Sequence, residues 1–262
     1  VYASATLAVD GQFDAFERAV GFNEGEDSRA DVLKVDSSFD FDANMRVYVP
    51  TDMPEPQDPA YLPTLESFLV DLHKAQRGST LTLFTNRREM EQCFDVVHPA
   101  LKEDDLRLVC QKWGVSVKGL RDDFLKDEHL SLFALKSFWE GFDAPGATLK
   151  GVVIPKLPFG LPTDPLSCER QQRDDHAWAH YSLPHAVIEV KQAVGRLIRK
   201  STDRGIVVLA DKRLITKYYG KKFLNSLPSN NIVMMSCADI VAEVADRAAV
   251  ESLVSASGSS HS

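Results

Sequence analysis

Val187-Ile188-Glu189-Val190-Lys191-Gln192-Ala193-Val194-Gly195-Arg196-Leu197-Ile198-Arg199-Lys200 lies between two short apolar runs, Gly151-Val152-Val153-Ile154 and Gly205-Ile206-Val207-Val208-Leu209-Ala210. Short runs rich in β-branched residues read as buried strands. The longer stretch, taken at about 100° per residue, reads as a helix with two unlike faces. Val190, Val194, Leu197 and Ile198 form a stripe suited to packing on a sheet. Gln192, Arg196 and Arg199 share the other face, with Gly195 beside them keeping the surface bare. A strand, a covering helix and a second strand make the unit of a parallel sheet. The fold class that follows is α/β, with a mostly parallel central sheet flanked by helices.

The rest of the chain extends that pattern. A strand is expected at Met45–Val49 and a compact buried one at Thr80–Thr85, with a helix opening at Arg87. Leu62, Leu65, Phe68, Leu69 and Leu72, spaced by three and four, mark a helix ending near Gly78. Residues 11–20 suit a short helix, and the acidic, then proline-rich run over 21–60 suits loops. Residues 101–130 read as short helices and loops, followed by a strand at Ser131–Leu135. Ile232–Met235 adds a strand and Ala238–Leu253 a terminal helix, so the domain is expected over residues 1–254. The Ser/Gly-rich stretch 255–262 reads as a disordered tail. Val1–Leu7 begins inside what reads as the end of a strand, as expected of a cut from a longer polypeptide.

Composition narrows the functional classes. With 38 Asp plus Glu against 30 Lys plus Arg, the chain is not one that coats nucleic acid by bulk charge. A local basic groove remains open, because positive charge gathers at Arg87-Arg88, Arg196–Arg204 and Lys212–Lys222. No apolar run approaches the roughly 20 residues that span a bilayer, and no membrane partner is expected. Cys93, Cys110, Cys168 and Cys237 are scattered without a C-x-x-C pair. That spacing favours buried thiols and a reducing cytoplasm over disulfides or zinc.

Open parallel sheets bind ligands at the carboxyl ends of their strands. Three segments are expected to meet there: Thr85-Asn86-Arg87-Arg88, the loop Ser137-Phe138-Trp139-Glu140-Gly141-Phe142-Asp143-Ala144-Pro145-Gly146, and the arginine helix. Two guanidinium groups and an amide on one rigid face suit a polyanion, since the planar fork pairs bidentately with phosphate oxygens. The same face also reads as the solvated side of an amphipathic helix. In the loop, Gly141 permits close backbone approach and Asp143 can accept from a ribose hydroxyl; the alternative is a tight turn over a buried Trp139.

Ser4-Ala5-Thr6, Leu83-Phe84-Thr85-Asn86, Phe138-Trp139-Glu140-Gly141-Phe142-Asp143 and Gln192-Ala193-Val194-Gly195-Arg196-Leu197-Ile198-Arg199 resemble, in order, motifs III to VI of a superfamily 2 helicase. With Ile154-Pro155-Lys156-Leu157-Pro158-Phe159, they most resemble the DinG branch, related to the XPD helicases. The resemblance spans about residues 1–228 and implies the second, C-terminal RecA-like motor domain of an ATP-dependent DNA helicase involved in DNA repair. It implies that Arg196 and Arg199 reach the γ-phosphate of ATP, with Gln192, Gly141 and Asp143 at the same nucleotide. It further implies that Thr85, Asn86, Arg87, Ser137 and Trp139 contact single-stranded DNA, and that Ser4 and Thr6 couple the two halves of the motor. Movement from 5′ to 3′ is implied by the family alone.

The departures define what is missing. No G-x-x-x-x-G-K-[ST] loop exists to cradle phosphates, so ATP and its Mg²⁺ are expected to be held mainly by an N-terminal RecA-like partner domain of the same polypeptide. Asp127-Glu128-His129 imitates part of a magnesium motif but follows the charged run Arg121-Asp122-Asp123, as a solvated helix end does. No iron–sulfur cluster is expected in this chain: the family's cluster cysteines, when present, lie in the other half, and the four here lack that spacing. His176 and His180, with Asp174 and Asp175, have an i, i+4 spacing able to chelate but no third ligand, so no metal is expected. Tyr218-Tyr219-Gly220-Lys221-Lys222 suits either a basic-aromatic strip or a docked helix. Asp211 and Arg213 suit either a brace for the arginine helix or a local ion pair. Two other functions stay open at this level: a single-strand-binding module uncoupled from ATP, and the motor part of a helicase–exonuclease fusion.

Overall fold

A computed structural model describes the chain except for residue 5, 23–30, 36, 136–137, 139–147 and 259–262, and gives backbone only over 251–258. Among the described residues, seven strands run in chain order: β1 (Met45–Pro50), β2 (Thr80–Leu83), β3 (Arg107–Cys110), β4 (Leu130–Ala134), β5 (Gly151–Ile154), β6 (Gly205–Leu209) and β7 (Ile232–Met235). They form one sheet in the order β3-β4-β2-β5-β6-β1-β7. Every pairing is parallel, with registers such as Leu81 on Val152, Val152 on Val207 and Val47 on Ile232. The α/β class and parallel sheet read from the sequence are therefore correct.

Among the described residues, ten α-helices connect and cover the strands: α1 (Asp14–Ala19), α2 (Phe41–Asn44), α3 (Tyr61–Gln76), α4 (Arg87–Glu103), α5 (Val117–Lys126), α6 (Pro165–Arg173), α7 (Leu183–Val194), α8 (Arg213–Thr216), α9 (Gly220–Ser226) and α10 (Cys237–Gly258). Alternation along each strand divides the core in two. Val47, Leu81, Leu132, Val152 and Val207 face α5, α7 and α9, meeting Phe124, Val187, Val190 and Phe223. Tyr48, Phe133, Val153, Ile206 and Val208 face α3, α4 and α10, meeting Leu65, Leu69, Val97 and Ile240.

Local signals set the boundaries. The predicted leucine spacing produces α3, which stops at Arg77 in the left-handed region (φ 60°). Asn86 caps α4 by accepting from the Arg88 N–H at 2.8 Å. Five differences from the sequence reading stand out. β3 lies inside the stretch read as helices and loops, and no strand forms among the described residues of 1–7. The helix expected over 187–200 instead starts at Leu183 and ends at Val194. Helix α10 takes in residues 255–258, which the sequence assigns to the tail; 259–262 lie outside the described residues. All four cysteines are free thiols, but only Cys93 and Cys110 are buried; Cys168 and Cys237 are partly exposed.

Candidate functional site

The arginine segment does not reach the carboxyl edge, where the sequence reading put it. α7 crosses back between two parallel strands, so it ends at the amino edge, just ahead of β6. Past Val194 the backbone turns: the N–H of Arg196 donates to Ala193 at 3.3 Å and that of Leu197 to Val194 at 3.1 Å. Leu197 and Ile198 are buried, Arg196 is half-buried and Arg199 exposed. The apolar stripe foreseen for a longer helix is thus buried, but by a loop rather than a further helical turn. One carboxylate oxygen of buried Asp203 accepts the N–H groups of both Arg199 and Lys200 at 2.8 Å. Asn44, below β1, donates to the Ser201 carbonyl at 3.1 Å. A Cβ on Gly205 would sit 2.7 Å from Leu197 and 2.6 Å from the Lys150 carbonyl, so a side chain there would collide with the segment's apolar anchor.

The amino-terminal residues lie along the same end of α7. Gln192 donates through Nε2 to the Thr6 hydroxyl at 3.3 Å, and the Thr6 N–H donates to the Ser4 hydroxyl at 3.3 Å. Lys191 donates to the Ala8 carbonyl at 3.3 Å. Burial pushes its ammonium below the ordinary value, with Lys34 adding repulsion. Ser4, Thr6, Gln192, Arg196 and Arg199, far apart in sequence, therefore gather at one end of the sheet.

Thr85, Asn86 and Arg87 occupy the opposite edge, past the end of β2. Phe84 is buried and donates its N–H to Ala134 at 2.8 Å, after which Thr85 and Asn86 emerge into solvent. Arg87 is committed locally: it donates to the Gln111 carbonyl at 2.9 Å, lies 3.7 Å from Glu91, and stacks 4.6 Å from the Trp113 ring centroid. Trp113 is a residue that sequence reasoning misses; its one signal is an aromatic flanked by Lys112 and Gly114 in a short loop. Ser137, Trp139, Gly141 and Asp143 lie outside the described residues.

The remaining motifs resolve into local structure. Asp211 is buried and forms a bidentate pair with Arg213, Nε to Oδ1 at 2.9 Å and Nη2 to Oδ2 at 2.6 Å. It also accepts the Leu157 N–H at 2.8 Å, so it ties together the exits of β5 and β6 rather than bracing the arginine segment. His180 pairs with Asp174 at 2.7 Å, which holds that carboxyl below its ordinary range. Among the described residues no three His, Cys, Asp or Glu side chains gather as a metal site. Asp127 closes α5 and pairs with Arg107, as a solvated helix end does. Tyr219 packs with Phe159, Trp178 and Phe223, while Tyr218 is exposed. No helix among the described residues is long and apolar enough to cross a membrane.

Comparison with known proteins gives this geometry a context. The family model described as the helicase C-terminal domain matches residues 69–230. The chain is 34% identical over 235 residues to the ATP-dependent DNA helicase DinG of Photobacterium profundum, covering 87% of this chain and 34% of that protein. It is 30% identical over 253 residues to the 3′-5′ exonuclease DinG of Bacillus subtilis, covering 94% of this chain and 27% of that one. The chain thus spans about a third of the length of such relatives, or less. A solved XPD helicase shares the fold with a TM-score of 0.56 at 19% identity, over 72% of this chain and 35% of that one.

Proposed function

The chain belongs to the helicase C-terminal domain family, in its DinG-type branch, and from that premise we propose that residues 1–254 are the second motor domain of an ATP-dependent DNA helicase. Its partner is the N-terminal RecA-like domain of the same polypeptide, which supplies the phosphate-binding loop and most of the Mg²⁺ ligands. This chain's share of the ATP site is the amino-edge group. Arg196 and Arg199 neutralise charge on the leaving diphosphate and Gln192 donates beside them; Gly141 and Asp143, which lie outside the described residues, are assigned the nucleotide sugar from the family motif alone. Ser4 and Thr6 couple the two domains through Gln192. The donors fit a triphosphate: two cations and an amide, on a sequence with no phosphate loop of its own. ATP bound between the domains supplies the phosphoanhydride bond whose cleavage drives the cycle.

Single-stranded DNA crosses the carboxyl edge at Thr85, with Asn86 and Arg87 nearby; Thr85 and Ser137 take its phosphates, and Trp139 also contacts the strand. The family suggests 5′-to-3′ travel, a soluble cytoplasmic setting and a role in DNA repair. Alone, the domain neither hydrolyses ATP nor unwinds DNA.

The observation that carries this reading is the fixed backbone between the two arginines. Buried Leu197 and Ile198 anchor it, and Asp203 fixes its far end by accepting the N–H groups of Arg199 and Lys200. Such pre-organisation is what a group aimed at a transition state needs. A solvated helix face needs none of it. The test is ATP hydrolysis by the full-length polypeptide, with and without single-stranded DNA, for wild type and Arg199→Ala. DNA-stimulated turnover should fall by two or more orders of magnitude in the variant, since arginine fingers are worth ~10³–10⁵ in rate. Turnover indifferent to the substitution would reduce the segment to scaffolding and leave a strand-binding module. The name of the Bacillus subtilis relative favours one elaboration, a nuclease fused upstream, which the upstream sequence decides.

A further inference from the structure

Trp113 belongs to none of the motifs above and packs into neither layer; the residue is 82% exposed. The chain around it holds it in that position. Lys112–Val115 form a turn, closed by the Val115 N–H donating to the Lys112 carbonyl at 3.3 Å. Trp113 takes the first corner and Gly114 the second, with a φ of 79° that glycine adopts without strain. Immediately upstream, Gln111 is buried and clamped on three sides. Its N–H donates to Phe133 at 2.9 Å, its side-chain oxygen accepts from the Leu135 N–H at 2.8 Å, and its carbonyl accepts from Arg87 at 2.9 Å. The guanidinium so held stands 4.6 Å from the centre of the indole, within cation–π range.

The result is a solvent-facing aromatic plane backed by a cation, on the same edge as Thr85 and Asn86. Nearby charges are mixed but largely committed: Lys112 pairs with Asp95 at 3.2 Å, and Glu91 lies 3.7 Å from Arg87. Unpaired bases present a π-face alongside a phosphate, and proteins that hold single strands answer with an aromatic side chain beside positive charge. A base within a duplex has no such face to offer.

We propose that Trp113, backed by Arg87, is a stacking platform for an unpaired base of single-stranded DNA crossing the carboxyl edge. The site rests on the reading of this chain as part of a DNA motor and extends its track outward to the edge strand β3. The turn fixes the backbone under the ring and Arg87 holds one of its faces, which reduces the side-chain freedom lost on binding.

The test is titration of end-labelled oligothymidylate with the full-length polypeptide at one fixed salt concentration, using wild type, Trp113→Ala and Trp113→Phe. An abasic oligomer of equal length keeps the phosphates and removes the bases. Trp113→Ala should weaken oligothymidylate binding about 10-fold, as expected for loss of one stacked base. Trp113→Phe should recover most of that loss, and the abasic strand should not distinguish wild type from Trp113→Ala. Equal affinity of wild type and Trp113→Ala for oligothymidylate would overturn the platform while leaving the motor reading intact, and would point to a protein partner for the ring. Failure of wild type to bind either strand would remove the motor reading and the platform together.

Discussion

His73 shows how one buried side chain sets a condition on the whole domain. It sits on α3 with Nδ1 3.2 Å from the Ser131 hydroxyl and Nε2 3.1 Å from that of Thr82, its ring 5.5 Å from Phe133. A neutral ring has one donor and one acceptor, and each hydroxyl can take either role, so both tautomers are satisfied. A protonated ring would bring charge into an apolar layer, and burial accordingly lowers its pKa from 6.5 to about 4. The unfolded chain takes up a proton that the folded one refuses. The stabilisation is therefore complete above pH 6.5 and lost as pH falls from there to about 4. Between pH 7 and pH 5 the wild type should lose about 2 kcal/mol that His73→Leu does not lose, read from urea midpoints at the two pH values. Legibility at this scale is uneven. Arg196, Arg199 and Gln192 can be picked out because cations and amides recur at helical spacing. Trp113 cannot, because nothing local tells that its ring stays in water rather than entering the core.

At the scale of elements, Gly205 links the start of β6 to the arginine segment. The Leu197 side chain fills the place where a Cβ would project, so Gly205→Ala must displace Leu197 or push the β6 entry away from the Lys150 carbonyl. We expect it to cost about 1–3 kcal/mol in a denaturant melt. On the function proposed above, DNA-stimulated ATP turnover of the full-length polypeptide should fall more steeply than that loss alone explains, with nucleotide affinity less affected. Most strands are readable in the sequence: Gly151–Ile154 and Ile232–Met235 form as expected, being short apolar runs between breakers. β3 is not, because its four residues open on an exposed arginine and follow an Asp-Asp turn, which weakens the alternation. The end of α7 escapes the sequence for a different reason. Leu197 and Ile198 keep helical spacing, yet a turn folded back on the sheet buries them equally well.

Across the whole molecule, the strand order puts β2, β5 and β6 in the middle of the sheet and leaves β3 and β7 at its borders. The inner strands are buried along their length, whereas β7 is only partly covered. Amide hydrogen exchange should be slowest at Val152, Val153, Val207 and Val208, and faster by orders of magnitude along β7, as mass spectrometry of peptic fragments would record. The placement of candidate residues at two edges cannot be read from spacing. It depends on α7 running against the strands, which brings its far end to the side opposite Thr85.

That opposition has a mechanical consequence. Strands of four to six residues separate the two edges by roughly 13–20 Å, and the layers between them are close-packed solid with little compressibility. A swing of the domain about a pivot near the arginines would be delivered undiminished at the far edge, as by a crank. Its stroke would be the swing angle times that lever arm, with no rearrangement inside the domain to absorb the load.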